Sequence, residues 1–497
     1  MHKSFTIAAI FSSLALAACN GSPSTSSSAP QTESSSSQAQ ISSSLAVSSS
    51  SESSLSVASS SSAPVVSSSS ASSVFVIPNA ASNERPYCRT SESDPDGDGW
   101  GWENAASCIV YEGAADPGPG NFDYCLIGEV ATDLCMSDTG SWGEENGNIC
   151  LSQSMCPGMG AGIQAAMRED LINPNSTAVT EKVYDYLRSQ WGNHIISGQM
   201  DLTWRDSTDM LQRVKNDTGK EPAMMGYDFM NYGIDNAFLG GLQQTEEAIA
   251  YWQRGGLVSL TWHWRDPNVS GATIGEFYTD STDFQIPVKD GQLDTQSQSF
   301  ANMVSDIDLI AGELLKLQNA GVPVLWRPLH EASGGWFWWG RTRTDNVPPA
   351  YAQVLLWRYI YERLTQVHGL NNLIWVWNGQ SGGWYPGDDV VDIVSFDVYA
   401  DAQDYGSQQA IYDATKNYPQ QVKMVAMSEN SNIPDPDQVA ADGAWWLWFM
   451  VWNDVTEQEG VTSSDNFWTG EYYNTNAHKR HVYNHELVIT LDELPDF

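Results

Sequence analysis

Two glutamates that follow apolar runs could act together as a catalytic pair. One apolar run extends from Val322 to His330 and is followed by Glu331, and a second extends from Lys423 and ends at Glu429. Cleavage of an acetal between two sugars generally uses two carboxyl groups, one of which donates a proton. Glu331 and Glu429 are therefore candidate catalytic residues.

Aromatic residues surround the first of these glutamates. A glycine hinge follows Glu331, and three tryptophans come next, beginning at Trp336; the whole chain of 497 residues contains 21 tryptophans. An aromatic wall can stack on sugar rings, and it raises the pKa of a nearby carboxyl group by desolvation. We therefore predict that Glu331 is the acid and then the base, and that Glu429 is ionised and attacks the anomeric carbon. This retaining mechanism requires carboxyl groups ~5–5.5 Å apart.

Alternating apolar runs and amphipathic stretches must position this pair. Eight buried strands alternating with helices favour a closed (β/α)8 barrel over an open sheet, with the active site at the carboxyl ends of the strands. We place this barrel at residues 173–497. The predicted strands are His194–Trp204, Pro222–Met230, Gly256–Trp264, Val322–His330, Leu373–Asn378, Asp392–Ala400, Lys423–Glu429 and Ala444–Asn453.

Six of the eight predicted strands end in polar or aromatic residues that could line such a site. A single one of these could be a satisfied core group, but six at the same end of a barrel indicate a binding cleft. Tyr399 could bond the nucleophile, and Trp336 and Trp452 could stack on sugar rings. The strand ends are Trp262-His263-Trp264, His330-Glu331, Trp377-Asn378, Asp397 with Tyr399, Ser428-Glu429 and Trp452-Asn453.

The geometry of a β-strand also predicts the side towards which each candidate side chain points. Because side chains alternate along a strand, Glu331 should share one side with Leu329 and Arg327. Glu429 should likewise share one side with Met427. If both sides face inward, the two carboxyl groups emerge together at the mouth of the barrel.

The net charge of the chain argues against some classes of binding partner. Lys and Arg total 23 against 61 Asp and Glu, so the formal net charge is −38. Nucleic acids and anionic membranes need basic patches, so this balance argues against both and suits a neutral substrate. The histidines lack the His-Glu-x-x-His spacing of a metal site, and we expect no metal or other cofactor. We expect a monomer.

The first 83 residues have the composition of an export signal and a spacer. Residues 1–18 have a basic start and an apolar core too short to span a membrane, which is typical of a secretory signal peptide. The end of this segment resembles a bacterial lipobox, which implies a lipidated Cys19 and an outer-membrane anchor; ordinary cleavage would instead leave Cys19 as a free thiol. Residues 19–83 are serine-rich and predict a disordered spacer.

A cysteine-rich region at residues 84–157 precedes a connector at 158–172. Its six cysteines predict three disulfides in a small β domain and an oxidising compartment, with the pairing left open. A Trp-Gly-x-Glu-Asn element occurs twice, before Cys108 and before Cys150. The tryptophans of these elements could form a small core.

Calcium is a further possibility at the start of this region. Asp94, Asp96 and Asp98 have the spacing of a calcium loop, but Ala105 stands where a bidentate glutamate is expected.

Two resemblances to known families follow from these motifs. Arg-Pro-Leu-His-Glu, then Gly-Gly-Trp-Phe-Trp-Trp-Gly, resembles glycoside hydrolase family 26, as does Ser428-Glu429. The resemblance implies a (β/α)8 barrel and retaining hydrolysis, most often of β-1,4-mannan, with Glu331 as acid/base and Glu429 as nucleophile. It also implies roles in binding substrate or contacting a carboxylate for His263, His330, Trp336, Tyr399 and Trp452. Arg327, at the start of the first motif, is a further substrate-binding candidate. Ala332-Ser333 departs from the Met-Asn that members commonly carry.

The cysteine-rich region resembles family 10 carbohydrate-binding modules, whose adjacent aromatics form a platform for polysaccharide, usually crystalline cellulose. The resemblance implies that Tyr87, Trp100 and Trp102 bind sugar in the first copy. The second copy offers Trp142 as a sugar-binding candidate, but Glu144 replaces its second tryptophan.

The expectation is thus an endo-β-1,4-mannanase acting on plant cell-wall polysaccharide. Three alternatives stay open: an exo-acting, mannobiose-releasing mannanase, a mixed-linkage β-glucanase or β-xylanase, and a surface glycan-binding protein without catalysis. The segment 265–299 after the third strand could cap one end of the cleft and bias the enzyme towards short products.

Overall fold

The structure is a computed structural model. It describes residues 85, 87–88, 97–103, 106–110, 113–116, 124–127, 130–136, 140–145, 147–156, 164–202, 210–232, 243–269, 276–455 and 462–497. The predicted signal peptide, Cys19, the serine-rich spacer, Asp94 and Asp96 lie outside the described residues.

Short strands, antiparallel except for the pair β4 and β6, and three disulfides build the cysteine-rich region. β1 (Trp100–Glu103) pairs with β2 (Ala106–Ile109), and four further strands form a sheet in the order β3-β4-β6-β5. These are β3 (Tyr124–Ile127), β4 (Val130–Leu134), β5 (Trp142–Glu145) and β6 (Asn148–Leu151). The disulfides Cys88–Cys108, Cys125–Cys156 and Cys135–Cys150 confirm the predicted three and settle the pairing. Such bonds stabilise regions whose cores are small.

A parallel seven-stranded sheet follows, in the order β16-β15-β14-β13-β10-β9-β8. Six of its seven strands fall within a predicted run, and β16 extends one residue beyond its run, to Asn430. Nearly all residues of the seven strands are buried, as expected for strands covered on both faces. The strands from here to the end of the chain are β7 (Ile195–Ile196), β8 (Gly198–Met200), β9 (Met224–Asp228), β10 (Leu257–Thr261), β11 (Val288–Lys289), β12 (Gln292–Leu293), β13 (Val324–Arg327), β14 (Leu373–Trp377), β15 (Ile393–Val398), β16 (Met424–Asn430) and β17 (Val488–Ile489).

The eighth predicted run closes the sheet without forming a regular strand. The backbone N–H of Leu447 donates to the Val425 oxygen on the edge strand β16, at 2.8 Å, and the N–H of Met200 on the other edge strand, β8, donates to the Val451 oxygen, at 2.9 Å. Val451 forms parallel bridges with both Gln199 and Asn430. Both edges of the sheet are therefore joined through residues 447–452, which confirms the (β/α)8 architecture.

Eight α-helices are described, most of them between successive barrel strands. Several begin at side-chain caps, as where Ser297 accepts from the Phe300 N–H at 3.1 Å. Met303, Ile307 and Leu314 recur in the sequence at helical spacing, which predicts a helix that stops at Gly321. The structure confirms this helix as α4, which ends before Gly321, whose φ is +73°. The helices are α1 (Ala178–Gln190), α2 (Met210–Thr218), α3 (Gln244–Gln253), α4 (Gln298–Asn319), α5 (Pro349–Glu362), α6 (Gln409–Lys416), α7 (Pro436–Asp442) and α8 (Asn476–Tyr483).

The helices and strands bury one continuous apolar core, in which fully buried tryptophans such as Trp326, Trp375 and Trp446 are prominent. Within the described part of the chain, none of the helices has the length and apolar character needed to cross a membrane.

Candidate active site

Glu429 lies near the carboxyl end of β16, where a bulge changes the direction of the side chains. Phe396 pairs with Met427 and Asp397 pairs with Glu429, so that Ser428 is an extra residue on β16. Both Ser428 and Glu429 consequently contact groups at the same inner site. The alternation predicted for this run stops at the bulge, because two residues of one strand oppose one of its partner.

A cation and a phenol contact the Glu429 carboxylate. An Arg327 nitrogen donates to Glu429 Oε1 at 2.5 Å, and the Tyr399 hydroxyl donates to Oε2 at 2.6 Å. Arg327 also donates to Asp397 at 3.1 Å. Charge-assisted bonds of this kind hold the carboxylate in one orientation and favour its ionised form.

Glu331 reaches the same site by a different route from the one predicted. β13 ends at Arg327, and both Leu329 and Glu331 adopt left-handed backbone conformations with φ of 52°. The expectation that Arg327, Leu329 and Glu331 share one side by alternation is therefore wrong, because the chain has left the strand. Non-glycine residues in this conformation cost about 1–3 kcal/mol each and persist only where the surroundings hold them.

The neighbouring strand end holds Glu331 in this turn. Its N–H donates to the backbone carbonyl of Asn378 at 2.6 Å and is also 3.1 Å from the side-chain carbonyl oxygen of the same residue. Trp336 donates its indole N–H to Glu331 Oε2 at 2.8 Å, and Gln380 donates to Oε1 at 3.3 Å. Carboxylate oxygens of Glu331, Asp397 and Glu429 all lie within 4.8 Å of one another. One sugar linkage can be flanked by carboxyl groups this close.

The two glutamates hold protons unequally. Burial, and then the charges of Asp397 and Glu429, raise the pKa of Glu331 well above its ordinary value. Burial and Asp397 also raise the pKa of Glu429, to about 7, while Arg327 and Tyr399 oppose that rise. Glu331 is therefore the group that keeps a proton, and Glu429 is the one that ionises first.

Polar residues between the two glutamates form a buried network. The Asn378 side-chain nitrogen donates to Asp397 at 2.8 Å and to Ser428 at 2.6 Å, and the Ser428 hydroxyl donates to Asp397 at 2.8 Å. Burial also raises the pKa of Tyr399 well above its ordinary value, so this phenol stays protonated as a donor. The predicted strand-end residues of β14, β15 and β16 thus meet as one network.

Two histidines line the adjacent wall. The Nε2 atoms of His330 and His263 are 3.2 Å apart, and His263 Nδ1 bonds the buried Asp228 carboxylate. Burial, His263 and Arg327 lower the pKa of His330 well below its ordinary value, so His330 is neutral. Asp228, at the end of β9, was not among the sequence candidates. Its position after an apolar run was the available signal.

Aromatic rings surround the histidines. Trp452 lies with its ring centroid 6.0 Å from that of His263, and Phe337 lies 5.2 Å from the same ring. Tyr278 stacks on Phe337, and burial followed by the charge of Glu331 raises the pKa of its hydroxyl. Sequence reasoning missed Tyr278 and Gln380, because both lie in irregular segments whose path the strand pattern does not specify.

The cysteine-rich region departs from the predicted binding residues at two positions. Tyr87 is 0% exposed and its hydroxyl donates to Asp116 at 2.7 Å, so its ring cannot form a flat platform. Trp142 is 9% exposed and its indole N–H donates to the backbone oxygen of Gly383 in the barrel domain, at 2.8 Å. Trp100 is 41% exposed and remains available, and the Trp102 side chain lies outside the described part of the structure.

The chain was compared with known protein families and curated proteins. The model of glycosyl hydrolase family 26 matches residues 172–493, and a model described as a cellulose or protein binding domain matches residues 78–110. A mannan endo-1,4-beta-mannosidase of Thermothelomyces thermophilus is 41% identical over 334 residues, which cover 66% of this chain and 64% of the relative. Mannan endo-1,4-beta-mannosidase B of a Piromyces species is 35% identical over 349 residues, covering 69% and 56%. The chain thus spans less than two thirds of either relative.

Solved structures give the same family. The GH26-CBM35 β-(1,4)-mannanase of Podospora anserina is 38% identical, with a TM-score of 0.57 over 68% of this chain and 71% of that one. A β-mannanase from a symbiotic protist of the termite Reticulitermes speratus, complexed with gluco-manno-oligosaccharide, is 33% identical, with a TM-score of 0.57 over 67% and 99%. With its barrel and its facing carboxyl groups, the chain belongs to glycosyl hydrolase family 26.

Proposed function

We propose that this chain is an endo-β-1,4-mannanase that hydrolyses mannan, glucomannan or galactomannan with retention of configuration. The observation that carries the proposal is the approach of the Glu331 and Glu429 carboxylate oxygens to within 4.8 Å at the mouth of a family 26 barrel. Carboxyl groups this close fit double displacement, whereas inversion needs room for a water between groups ~6.5–9.5 Å apart. The mannanase names of the relatives support the substrate.

In the first step, ionised Glu429 attacks the anomeric carbon while Glu331 protonates the departing sugar oxygen. Arg327 and Tyr399 orient the attacking carboxylate, and the raised pKa of Glu331 keeps its proton available. In the second step, ionised Glu331 takes a proton from water, and that water releases the sugar from Glu429. Microscopic reversibility requires the same residue to act as acid and then as base. Trp336 and Trp452 supply rings on which sugars stack.

A polysaccharide panel tests the substrate and the mode of action. Galactomannan and glucomannan should release reducing ends faster than mixed-linkage β-glucan or xylan. Endo action predicts an early fall in viscosity and mixed oligosaccharides, whereas early accumulation of mannobiose alone would indicate exo action. Proton NMR of the first product should show the β-anomer; an α-anomer would overturn the retaining mechanism.

We also propose that the N-terminal parts hold the enzyme at the cell surface and on its substrate. The lipobox-like end of the signal at Cys19 supports lipidation, and residues 19–83 supply a spacer towards the outside of the outer membrane. Lipid labelling that is lost in Cys19→Ser tests the anchor. The exposed indole of Trp100 supports polysaccharide binding by residues 84–110, and pull-down on cellulose with Trp100→Ala tests it.

A further inference from the structure

The four-stranded sheet of the cysteine-rich region (β3-β4-β6-β5), which we call the second cysteine-rich sheet, packs Trp142 against the barrel domain. Trp142 on β5 donates to Gly383 O at 2.8 Å, and its ring centroid lies 5.8 Å from that of Tyr351 on α5. Next to it, the Ser141 hydroxyl donates to the backbone oxygen of Tyr385 at 3.1 Å. The disulfides Cys125–Cys156 and Cys135–Cys150 fix the sheet that presents these two residues.

The segment that accepts these hydrogen bonds also contacts Glu331 in the candidate active site. Residues 379–387, which we call the β14 loop, follow the strand that ends at Trp377. Three residues before Gly383 in this loop, Gln380 has a φ of 59° and donates to Glu331 Oε1. The backbone oxygen of Gly379 accepts from Ser333, in the turn after Glu331. The β14 loop therefore lies between the cysteine-rich sheet and the predicted acid/base.

The β14 loop has little regular structure with which to hold itself in place. Its one helical turn spans three residues, Gly382–Trp384, and Gly387 at the end of the loop has a φ of 113°. On the α5 side, Arg358 donates to the Pro386 oxygen at 2.8 Å. On the other side, Trp142 and Ser141 donate to backbone oxygens of the loop. A glycine-rich loop has high conformational freedom unless such contacts restrict it.

We propose that Trp142 is a positioning residue for catalysis: it holds the β14 loop so that Gln380 stays bonded to Glu331. The second cysteine-rich sheet then supports the acid/base from outside the barrel, and its tryptophan has a catalytic support role in place of a sugar-binding one. This inference rests on the proposed function, in which Glu331 protonates the departing sugar. A displacement of about 1 Å in such a support is enough to slow proton transfer.

The dependence on the leaving group distinguishes this role from a purely structural one. A 2,4-dinitrophenyl group leaves without protonation, while a mannan chain needs the acid. In the full chain, Trp142→Phe keeps a ring against Tyr351 but removes the N–H donor to Gly383. We expect kcat/KM on mannan to fall about 5- to 50-fold and kcat/KM on 2,4-dinitrophenyl β-mannobioside to stay within about twofold. A folding defect would lower both equally.

Three further variants complete the experiment. Gln380→Ala should give the same selective loss, and the double variant with Trp142→Phe should lose much less than the product of the two, because both act through one bond. Trp252→Phe, at a tryptophan stacked on Phe497 with ring centroids 5.8 Å apart, is the matched control and should leave the ratio of the kcat/KM values for the two substrates unchanged.

Equal losses on both substrates in the Trp142 variant, or no loss on either, would overturn the inference. The proposed function fails separately, if Glu331→Ala itself shows no dependence on the leaving group. Ser141→Ala, which removes the bond to Tyr385 and keeps the Trp142 ring, provides a milder variant should the Trp142 substitution fold poorly.

Discussion

Carboxylate oxygens of Glu331 and Glu429 lie within 4.8 Å of one another, but the surroundings of the two residues differ in charge and in backbone structure. Glu429 is on a strand, and a guanidinium and a phenol contact its carboxylate. Glu331 is on an irregular turn, and an indole and an amide contact its carboxyl group. A cation in direct contact favours the ionised form, and neutral donors in a buried site compensate burial less. The difference supports the proposal that one glutamate is the nucleophile and the other is the acid.

Loss of Glu429 should have the largest effect. Without it no covalent intermediate forms, and we expect Glu429→Ala to lower kcat about 10⁴-fold or more. Azide should restore cleavage of an activated β-mannoside by direct attack, and the product should be the α-mannosyl azide. A β-mannosyl azide from this variant would exchange the two assigned roles.

Loss of Glu331 should be smaller and should depend on the leaving group. For mannan we expect Glu331→Ala to lower kcat/KM about 10²- to 10⁴-fold, because no acid protonates the departing oxygen. A dinitrophenyl substrate should be much less affected, and azide should now give the β-mannosyl azide, since Glu429 still attacks first. Equal losses for both substrates would contradict the acid role.

Arg327 should tune the nucleophile and support the fold. Its charge opposes the rise in the pKa of Glu429, so Arg327→Met raises that pKa further, and the acidic limb of the kcat/KM profile moves to higher pH. Asp397 also loses its buried partner, which costs about 3–5 kcal/mol of unfolding free energy and lowers Tm. Arg327→Lys keeps the charge and should shift the limb less. An unchanged acidic limb in the methionine variant would argue against contact with an ionised nucleophile.

Tyr399→Phe removes one hydrogen bond from the same carboxylate. The loss in kcat should be about 10-fold to 100-fold, the cost of a bond to a charged group. Because the phenol donates to the ionised form of Glu429, the acidic limb should again move to higher pH while Tm changes little. If only the basic limb moved, Tyr399 would be acting on Glu331 and the predicted contact with Glu429 would be contradicted.

Trp336→Phe should produce the smallest effect, and on the opposite limb. The indole N–H lowers the pKa of Glu331 by bonding it, so its removal raises that pKa and moves the basic limb to higher pH. The phenyl ring still stacks on sugar, and the loss in kcat/KM should be about 10-fold or less. If Tyr399→Phe moves the acidic limb and Trp336→Phe moves the basic limb, the two side chains act on different glutamates, as the structure predicts. If both variants move the same limb, this difference between Glu429 and Glu331 is contradicted.

Local sequence was sufficient for much of the scaffold. Apolar runs predicted the seven regular barrel strands. A strand that is buried on both faces consists almost entirely of apolar residues, and such a run can be recognised without knowing which strands lie beside it. The helix that stops at Gly321 and the existence of three disulfides were equally readable. The two glutamates were found for the same reason, because each polar group follows an apolar run.

The sequence by itself determined the barrel, its closing run and the identity of the acidic pair. Only the tertiary structure decided how Glu331 turns towards Glu429, because the left-handed turn and the bulge at Ser428 depend on hydrogen bonds from neighbouring strands. It also decided that Trp142 faces the barrel and that Tyr87 is buried. A tryptophan in a short motif does not reveal which surface covers it, since the Gly383 carbonyl that Trp142 bonds is 241 residues away in the chain.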